Sequence, residues 1–125
     1  MSHSADIERW LTDYEKAWST DSAEAVAGLF TADARYFTAP YRPPLVGVED
    51  LARWWIDQAE STTSWTFERA VIASEGGLHV IRGTVTYPDA PGPGGKPAVY
   101  HNIWLVTLAE DGRAREFVEY WMLEE

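Results

Sequence analysis

The chain contains no cysteine and few basic residues, and both absences exclude kinds of function. Without cysteine there can be no disulfide, thiolate nucleophile or cysteine metal ligand. Ten lysines and arginines stand against twenty aspartates and glutamates, which gives a formal net charge of −10. Nucleic acids and anionic membranes both attract basic surfaces. We therefore expect neither a nucleic acid nor a membrane as a partner.

Long apolar runs are also missing. No stretch of 18 apolar residues occurs, and the first six residues, Met-Ser-His-Ser-Ala-Asp, lack the basic and apolar regions of a signal peptide. We therefore expect a cytoplasmic protein. The three histidines are scattered without the pairing that a metal site needs, and no glycine-rich segment joins a strand to a helix. The sequence predicts no metal and no cofactor.

Aromatic residues, in contrast, are abundant. The 125 residues include seven tryptophans and six tyrosines, and 46% of the chain is hydrophobic. So much flat apolar surface either packs a core or lines a cavity for an apolar ligand. A chain of this length is expected to form one domain, over residues 1–125, with a single core.

Apolar residues at helical spacing predict three helices in the first half of the chain. The predicted helices span residues 7–18, 21–30 and 49–60. Asp21 and Glu24 resemble the capping pair that opens the second helix. Tyr14 and Trp18 belong to the apolar side of the first helix.

Period-two patterns predict five strands, at residues 34–38, 65–73, 78–87 and 99–108 and from about 113 onward. Turns at Glu75-Gly76-Gly77 and Glu110-Asp111-Gly112 join neighbouring strands. The helices come first, one strand lies between them, and an antiparallel meander follows. This order predicts an α+β fold in which three helices cover one face of a curved, mostly antiparallel sheet.

The last strand carries the most informative residue. From Phe117 to Leu123 every residue is apolar or aromatic except Glu119, which shares a strand face with Phe117 and Trp121. A carboxylate against such rings is costly to ionise unless it has a partner. Groups of this kind often have raised pKa values and lie in functional pockets. A structural ion pair within the core is the alternative interpretation.

The opposite parity of the last two strands predicts a homodimer. The apolar residues on that face of the two strands would together form a large exposed patch if no partner covered them. They are Val118, Tyr120, Met122, Ile103 and Leu105. His79 and His101 are expected on this same outer face, because they share parity with Ile81 and Ile103.

The order of elements resembles the nuclear transport factor 2-like superfamily, the cone-shaped cystatin-like fold, and within it the SnoaL-like group. The segments that carry the resemblance are 29–34 (LFTADA), 45–47 (LVG), 100–102 (YHN), 111–113 (DGR) and 119–121 (EYW). The resemblance implies a pocket between the helices and the inner face of the sheet. It leaves function open, because the superfamily includes enzymes and non-catalytic binders.

Two enzyme families in this superfamily suggest roles for single residues. By resemblance to ketosteroid isomerases, Tyr14 would donate to a substrate oxyanion with Trp55 in support. Thr38 and Trp104, however, stand where those enzymes have their two catalytic aspartates. By resemblance to limonene-epoxide hydrolases, Glu119 would activate a water beside Tyr36.

The inward parity of neighbouring strands predicts that Arg82 lies within ion-pair reach of Glu119. The same epoxide-hydrolase resemblance matches Arg82 to the arginine of those enzymes and implies that Thr38 and Thr84 replace an Asn and an Asp. The expected catalytic residues are therefore Glu119, Arg82 and Tyr36. The expected ligand-binding residues are Tyr14, Trp18, Thr38, Trp55, Thr84, Asn102, Trp104, Phe117 and Trp121. We expect the protein to bind a small, largely apolar molecule, with Glu119 in acid–base chemistry of a lyase, isomerase or hydrolase. A non-catalytic ligand-binding or scaffold protein is the alternative.

Overall fold

The structure is a computed structural model that describes residues 3–20, 22–59 and 64–125. Its helices are α1 (His3–Thr20), α2 (Ala23–Leu29) and α3 (Val48–Ala59). Its strands are β1 (Phe30–Phe37), β2 (Leu45–Val46), β3 (Thr66–Glu75), β4 (Leu78–Pro91), β5 (Pro97–Leu108) and β6 (Ala114–Leu123), with a 3-10 turn at Pro93–Gly95. The α+β class is confirmed, and the predicted helices and strands occur in the predicted order, with β2 as a short additional strand that was not predicted.

The six strands form one curved, open sheet in the order β2-β1-β6-β5-β4-β3. Neighbouring strands are antiparallel except β1 and β6, which pair in parallel. That parallel pair sets Tyr36 directly beside Phe117. It thereby joins the strand between the helices to the end of the meander.

The helices cover one face of this sheet, which we call the inner face. Buried residues from neighbouring strands lie on that face and pack in one core with the helices, among them Tyr36, Phe117, Trp104 and Ile81. The guanidinium of Arg69 on β3 forms ion pairs of 2.8 Å and 2.9 Å with Glu8 and Glu15 of α1. These contacts hold α1 against the sheet.

α1 and β4 are longer than predicted, and the boundary between α2 and β1 also differs from the prediction. β1 begins at Phe30 rather than at residue 34, because Phe30 pairs with Ala114 of β6 instead of ending α2. The side chain of Ser22 accepts a hydrogen bond from the Ala25 amide and caps α2. Asp21, the predicted cap, lies outside the described residues, as does the predicted helix end at Glu60.

The predicted face of β4 is wrong. In the register of the sheet, Ile81 pairs with Trp104 and His79 pairs with Val106, so both lie on the inner face. His79 is fully buried, and its Nδ1 is 2.7 Å from the hydroxyl of Ser74. The side chains of Arg82 and of the residues that share its parity therefore lie on the other face of the sheet, which we call the outer face.

Candidate functional site

Glu119 lies on the inner face of β6, where it is half-buried. Its Oε2 accepts one hydrogen bond from the indole Nε1 of Trp104 and one from the amide Nδ2 of Asn102, each of 3.2 Å. Both donors come from β5, because Trp104 pairs with Glu119 and Asn102 lies two residues away on the same face. Two neutral donors from one neighbouring strand therefore hold one carboxylate oxygen.

Burial controls the ionisation of this carboxylate. It raises the pKa of Glu119 to about 7, and the hydrogen bond from Trp104 opposes the rise only in part. None of the ion pairs formed by the described residues includes Glu119. Near neutral pH the side chain can therefore both accept and release a proton.

Two tyrosine hydroxyls lie together on the inner face. The hydroxyls of Tyr14 from α1 and Tyr36 from β1 are 2.9 Å apart. Both rings stack on Phe117, at centroid distances of 5.7 Å and 4.5 Å. Burial raises the pKa of each phenol, and the negative charge of Glu119 raises both further. The pair therefore stays neutral, and because their mutual bond uses one O–H, the other can donate elsewhere.

Beyond Glu119 the inner face ends in three partly exposed rings, which we call the aromatic wall: Tyr87, Tyr100 and Trp121. The Tyr87 and Tyr100 centroids are 5.9 Å apart, as are those of Tyr100 and Trp121. Burial raises the pKa of Tyr87, and the charge of Glu119 raises it further. The hydroxyl of Tyr87 is therefore within electrostatic range of the carboxylate.

A second group of rings lies on the β3 side. The ring centroids of Phe67 and Trp104 are 5.0 Å apart, and Trp18 stacks on Trp65 with a centroid distance of 3.8 Å. Gly83 makes room for Phe67, because a Cβ at that position would lie 2.5 Å from the ring carbon Cε1. We call Glu119, Asn102, the tyrosine pair and these two ring groups the inner-face site.

Most of the predicted site residues are brought together on the inner face. They are Tyr14, Trp18, Tyr36, Trp55, Asn102, Trp104, Phe117, Glu119 and Trp121. Phe117 is fully buried, and Trp55, whose Nε1 is 3.4 Å from the Ala17 carbonyl oxygen, is nearly so. These two rings support the site from within the core. Thr38 lies just after β1 and is partly buried.

Arg82 and Thr84 do not belong to this group. Arg82 pairs with Ile103, which pairs with Tyr120, so these three side chains share the outer face, opposite to Glu119. Arg82 is exposed and forms no ion pair with Glu119. The predicted Arg82–Glu119 pair and the predicted pocket position of Thr84 are therefore wrong, because a one-residue change of parity moves a side chain through the sheet.

A groove with a volume of about 820 Å³ lies on the outer face. Its floor includes Ile103, Tyr120 and Met122, and the last two are 45% and 70% exposed. The register also places Val118 and Leu105 opposite each other on this face. The prediction that these five apolar residues share the outer face is confirmed.

The contributors to the site that were not assigned to it from the sequence include Tyr87, Phe67, Trp65 and Gly83. A signal for Tyr87 was present, since it continues the inner parity of Ile81 and Val85 on β4. The role of Gly83 had no such signal, because it depends on a ring from the neighbouring strand.

Among residues 3–20, 22–59 and 64–125, no three histidine, aspartate or glutamate side chains lie close enough together to hold a metal ion. In the same ranges no helix is long and apolar enough to cross a membrane.

The sequence model of the SnoaL-like domain matches residues 7–117, which is most of the chain. The chain belongs to the SnoaL-like domain family. The resemblance inferred from the sequence is thus confirmed. No curated protein matches this SnoaL-like chain.

Solved structures confirm the nuclear transport factor 2-like fold. The epoxide hydrolase/cyclase-like enzyme SalBIII, described for pyran ring formation in the polyether salinomycin, is 13% identical with a TM-score of 0.72; the match covers 92% of this chain and 89% of that one. An NTF2-like protein of unknown function from Cytophaga hutchinsonii is 16% identical, with a TM-score of 0.67 and coverage of 92% and 98%. A ketosteroid isomerase-like protein from Erwinia carotovora atroseptica is 21% identical, with a TM-score of 0.66 and coverage of 94% and 95%.

Proposed function

We propose that this SnoaL-like protein binds a small, largely apolar molecule at the inner-face site and that Glu119 transfers a proton to or from it. The observation that carries the proposal is the state of Glu119, a partly buried carboxylate whose pKa is raised to about 7. A general base or acid works best when its pKa lies near the working pH. The surrounding rings supply the apolar contact area.

The polar groups suit proton transfer at carbon next to a carbonyl group. Among the described residues Oε1 of Glu119 has no hydrogen-bond partner, since both donors bind Oε2. In the proposed step the C–H bond breaks, its proton moves to Glu119, and its electron pair forms the enolate. The spare O–H of the Tyr14–Tyr36 pair donates to the enolate oxygen. When the substrate carries a β,γ-double bond, the enolate extends to the γ-carbon, and return of the proton to that carbon completes an isomerisation.

Water activation by an arginine–carboxylate pair receives less support. It needs a cation beside the base, and Arg82 lies on the opposite face of the sheet. Without an arginine beside Glu119, removal of a proton from carbon, as in an isomerase or a cyclase, is favoured over hydrolysis.

Hydrogen–deuterium exchange at the α-carbon of 2-tetralone, a compact aromatic ketone, tests the proposal. We expect the wild-type protein to accelerate the exchange in D₂O, as followed by NMR. Glu119→Gln keeps the side-chain shape but cannot take the proton, so it should lower the rate by about 100-fold or more.

Glu116→Gln is the matched control. Glu116 is a carboxylate of the same strand, but it forms an ion pair with Arg35, and Phe117 and Val118 lie between it and Glu119 along the chain. It should leave the exchange rate unchanged. Equal rates in wild type and Glu119→Gln would contradict the catalytic proposal.

A non-catalytic binding protein is the second candidate, and the dense packing of the inner face favours it. Tyr36, Phe117 and Tyr14 stack face to face, and Trp104 lies 5.1 Å from Phe117. Rings packed this closely also explain the raised pKa of Glu119 without any turnover. Binding of 2-tetralone without exchange would support this candidate.

We also propose that a second copy of the chain covers the outer face. Tyr120 and Met122 are exposed there beside Ile103, and a monomer rarely leaves such a patch uncovered. The groove contains Glu68 and Arg82, of opposite charge, within a chain of net charge −10. An isologous contact on this face would therefore avoid much of the repulsion between two acidic chains. A cytoplasmic location stays a prediction from the sequence.

A further inference from the structure

Glu119 has no positively charged partner in the described part of the protein. Arg82 lies on the outer face, and Arg69, the cation of the inner face, is bound by Glu8 and Glu15 at 2.8 Å and 2.9 Å. Both lysines of the chain are exposed. A desolvated carboxylate is normally neutralised by a cation, by a metal or by its own proton.

The second polar group of the site is also an acceptor. An ionised carboxylate only accepts hydrogen bonds, so Asn102 presents its Nδ2 to Glu119. This leaves its Oδ1, which is buried and has no hydrogen-bond partner among the described residues. Asn102 itself is 5% exposed. Oε1 of Glu119 and Oδ1 of Asn102 are therefore two acceptors without a hydrogen-bond partner among the described residues, and no described lysine or arginine forms an ion pair with Glu119.

The aromatic wall adds a second attraction for positive charge. Trp121 is 44% exposed, and Tyr87 and Tyr100 are partly exposed on the same inner face. The negative faces of such rings attract a cation within about 6 Å, and the attraction grows as the cation is desolvated. Trp121 lies two residues from Glu119 along β6, so one ligand group can reach both.

We propose that the ligand of the inner-face site carries a cationic nitrogen on an apolar body, with the nitrogen between Glu119 and the aromatic wall. This inference rests on the proposed function, because it names the class of molecule that the same site takes. The ligand then supplies the positive charge that no described side chain provides beside Glu119. Its cation stabilises the ionised carboxylate, and the net charge of −10 attracts it to the protein.

Isothermal titration calorimetry at pH about 8 with two probes of the same shape tests this inference. Phenyltrimethylammonium and tert-butylbenzene differ in one atom, the cationic nitrogen that replaces a carbon. We expect the wild-type protein to bind the cation at least about tenfold more tightly, although water holds the neutral probe less strongly. In Glu119→Gln this preference should disappear, and in Trp121→Leu it should fall by roughly three- to fivefold.

Glu116→Gln serves again as the control, because it removes one carboxylate from β6 without changing the inner-face site. It should keep the tenfold preference. An equal or tighter affinity of the wild type for tert-butylbenzene would overturn the inference and leave binding of an apolar ligand standing. A preference that falls equally in Glu116→Gln and Glu119→Gln would show attraction by overall charge and would also overturn it. Failure of both probes to bind while 2-tetralone exchange persists would overturn the inference alone.

Discussion

Replacing Glu119 with glutamine should stabilise the folded protein, and the gain should grow with pH. In the folded chain burial raises the pKa of Glu119 to about 7, whereas an ordinary glutamate has a pKa of 4.5. The folded state therefore holds its proton more tightly than the unfolded state. The side chain's contribution to stability is present in full below pH 4.5, declines as pH rises towards about 7, and is lost above it. Glutamine mimics the protonated form at every pH.

The two pKa values set the size of this effect. A difference of one pKa unit corresponds to about 1.4 kcal/mol of free energy. The gap between a pKa of 4.5 and one of about 7 therefore limits the contribution of Glu119 to the free energy of unfolding to about 3 kcal/mol. Part of the interval between the two pKa values lies below pH 5.5, so part of this stability change falls outside the measured range. Solvent screening reduces the rest, because the carboxylate is partly exposed. We expect the advantage of Glu119→Gln in free energy of unfolding to grow by about 1–2 kcal/mol between pH 5.5 and 8.5.

Urea unfolding followed by tryptophan fluorescence at several pH values measures this advantage. The lower limit of pH about 5.5 keeps the protein above its isoelectric point of about 4.6, where its solubility is lowest. Glu116→Gln, which removes an ion-paired carboxylate from the same strand, should show no such growth. An advantage that stays flat or shrinks as pH rises would show that Glu119 is ionised at low pH, and the reasoning would fail.

Two further predictions concern the outer face and the packing of the site. Tyr120→Asp should convert the proposed dimer into a monomer of 14.1 kDa in light scattering, and a wild-type monomer at micromolar concentration would contradict the dimer. Gly83→Ala should cost roughly 1–3 kcal/mol in urea unfolding, because its Cβ would lie 2.5 Å from the Phe67 ring. Thr84→Ala, one residue along β4 on the outer face, is its control, and an equal loss there would refute the clash.

The sequence alone determined the elements and their order. Helical spacing around Tyr14 and Trp18 predicted α1, period-two runs predicted the meander, and together they led to the fold that the structure confirms. These signals are local, because the periodic pattern of an amphipathic helix or strand lies within its own segment of the sequence and does not depend on the elements that pack against it. The single carboxylate of the last strand stood out for the same reason.

The prediction of which β4 side chains face the helices was wrong. The residues Ile81, Gly83 and Val85 form an apolar row, while Arg82 and Thr84 form a polar one. Simple alternation would have placed the apolar row inside, as the structure does. The inward parity assigned to Arg82 and Thr84 and the resemblance to limonene-epoxide hydrolases both placed the polar row there instead. Alternation in this strand was the stronger physical signal, because an unpaired buried arginine is costly.

Other features were decided only by tertiary structure. Tyr14 and Tyr36 are 22 residues apart, and their hydroxyls meet only because α1 packs on the inner face while β1 pairs in parallel with β6. Glu119 receives its donors from β5 through a register that no local pattern specifies. Period two defines two faces for every strand, but packing against the helices decides which is the inner face. The environment of Glu119, and hence its raised pKa, therefore belongs to the assembled sheet.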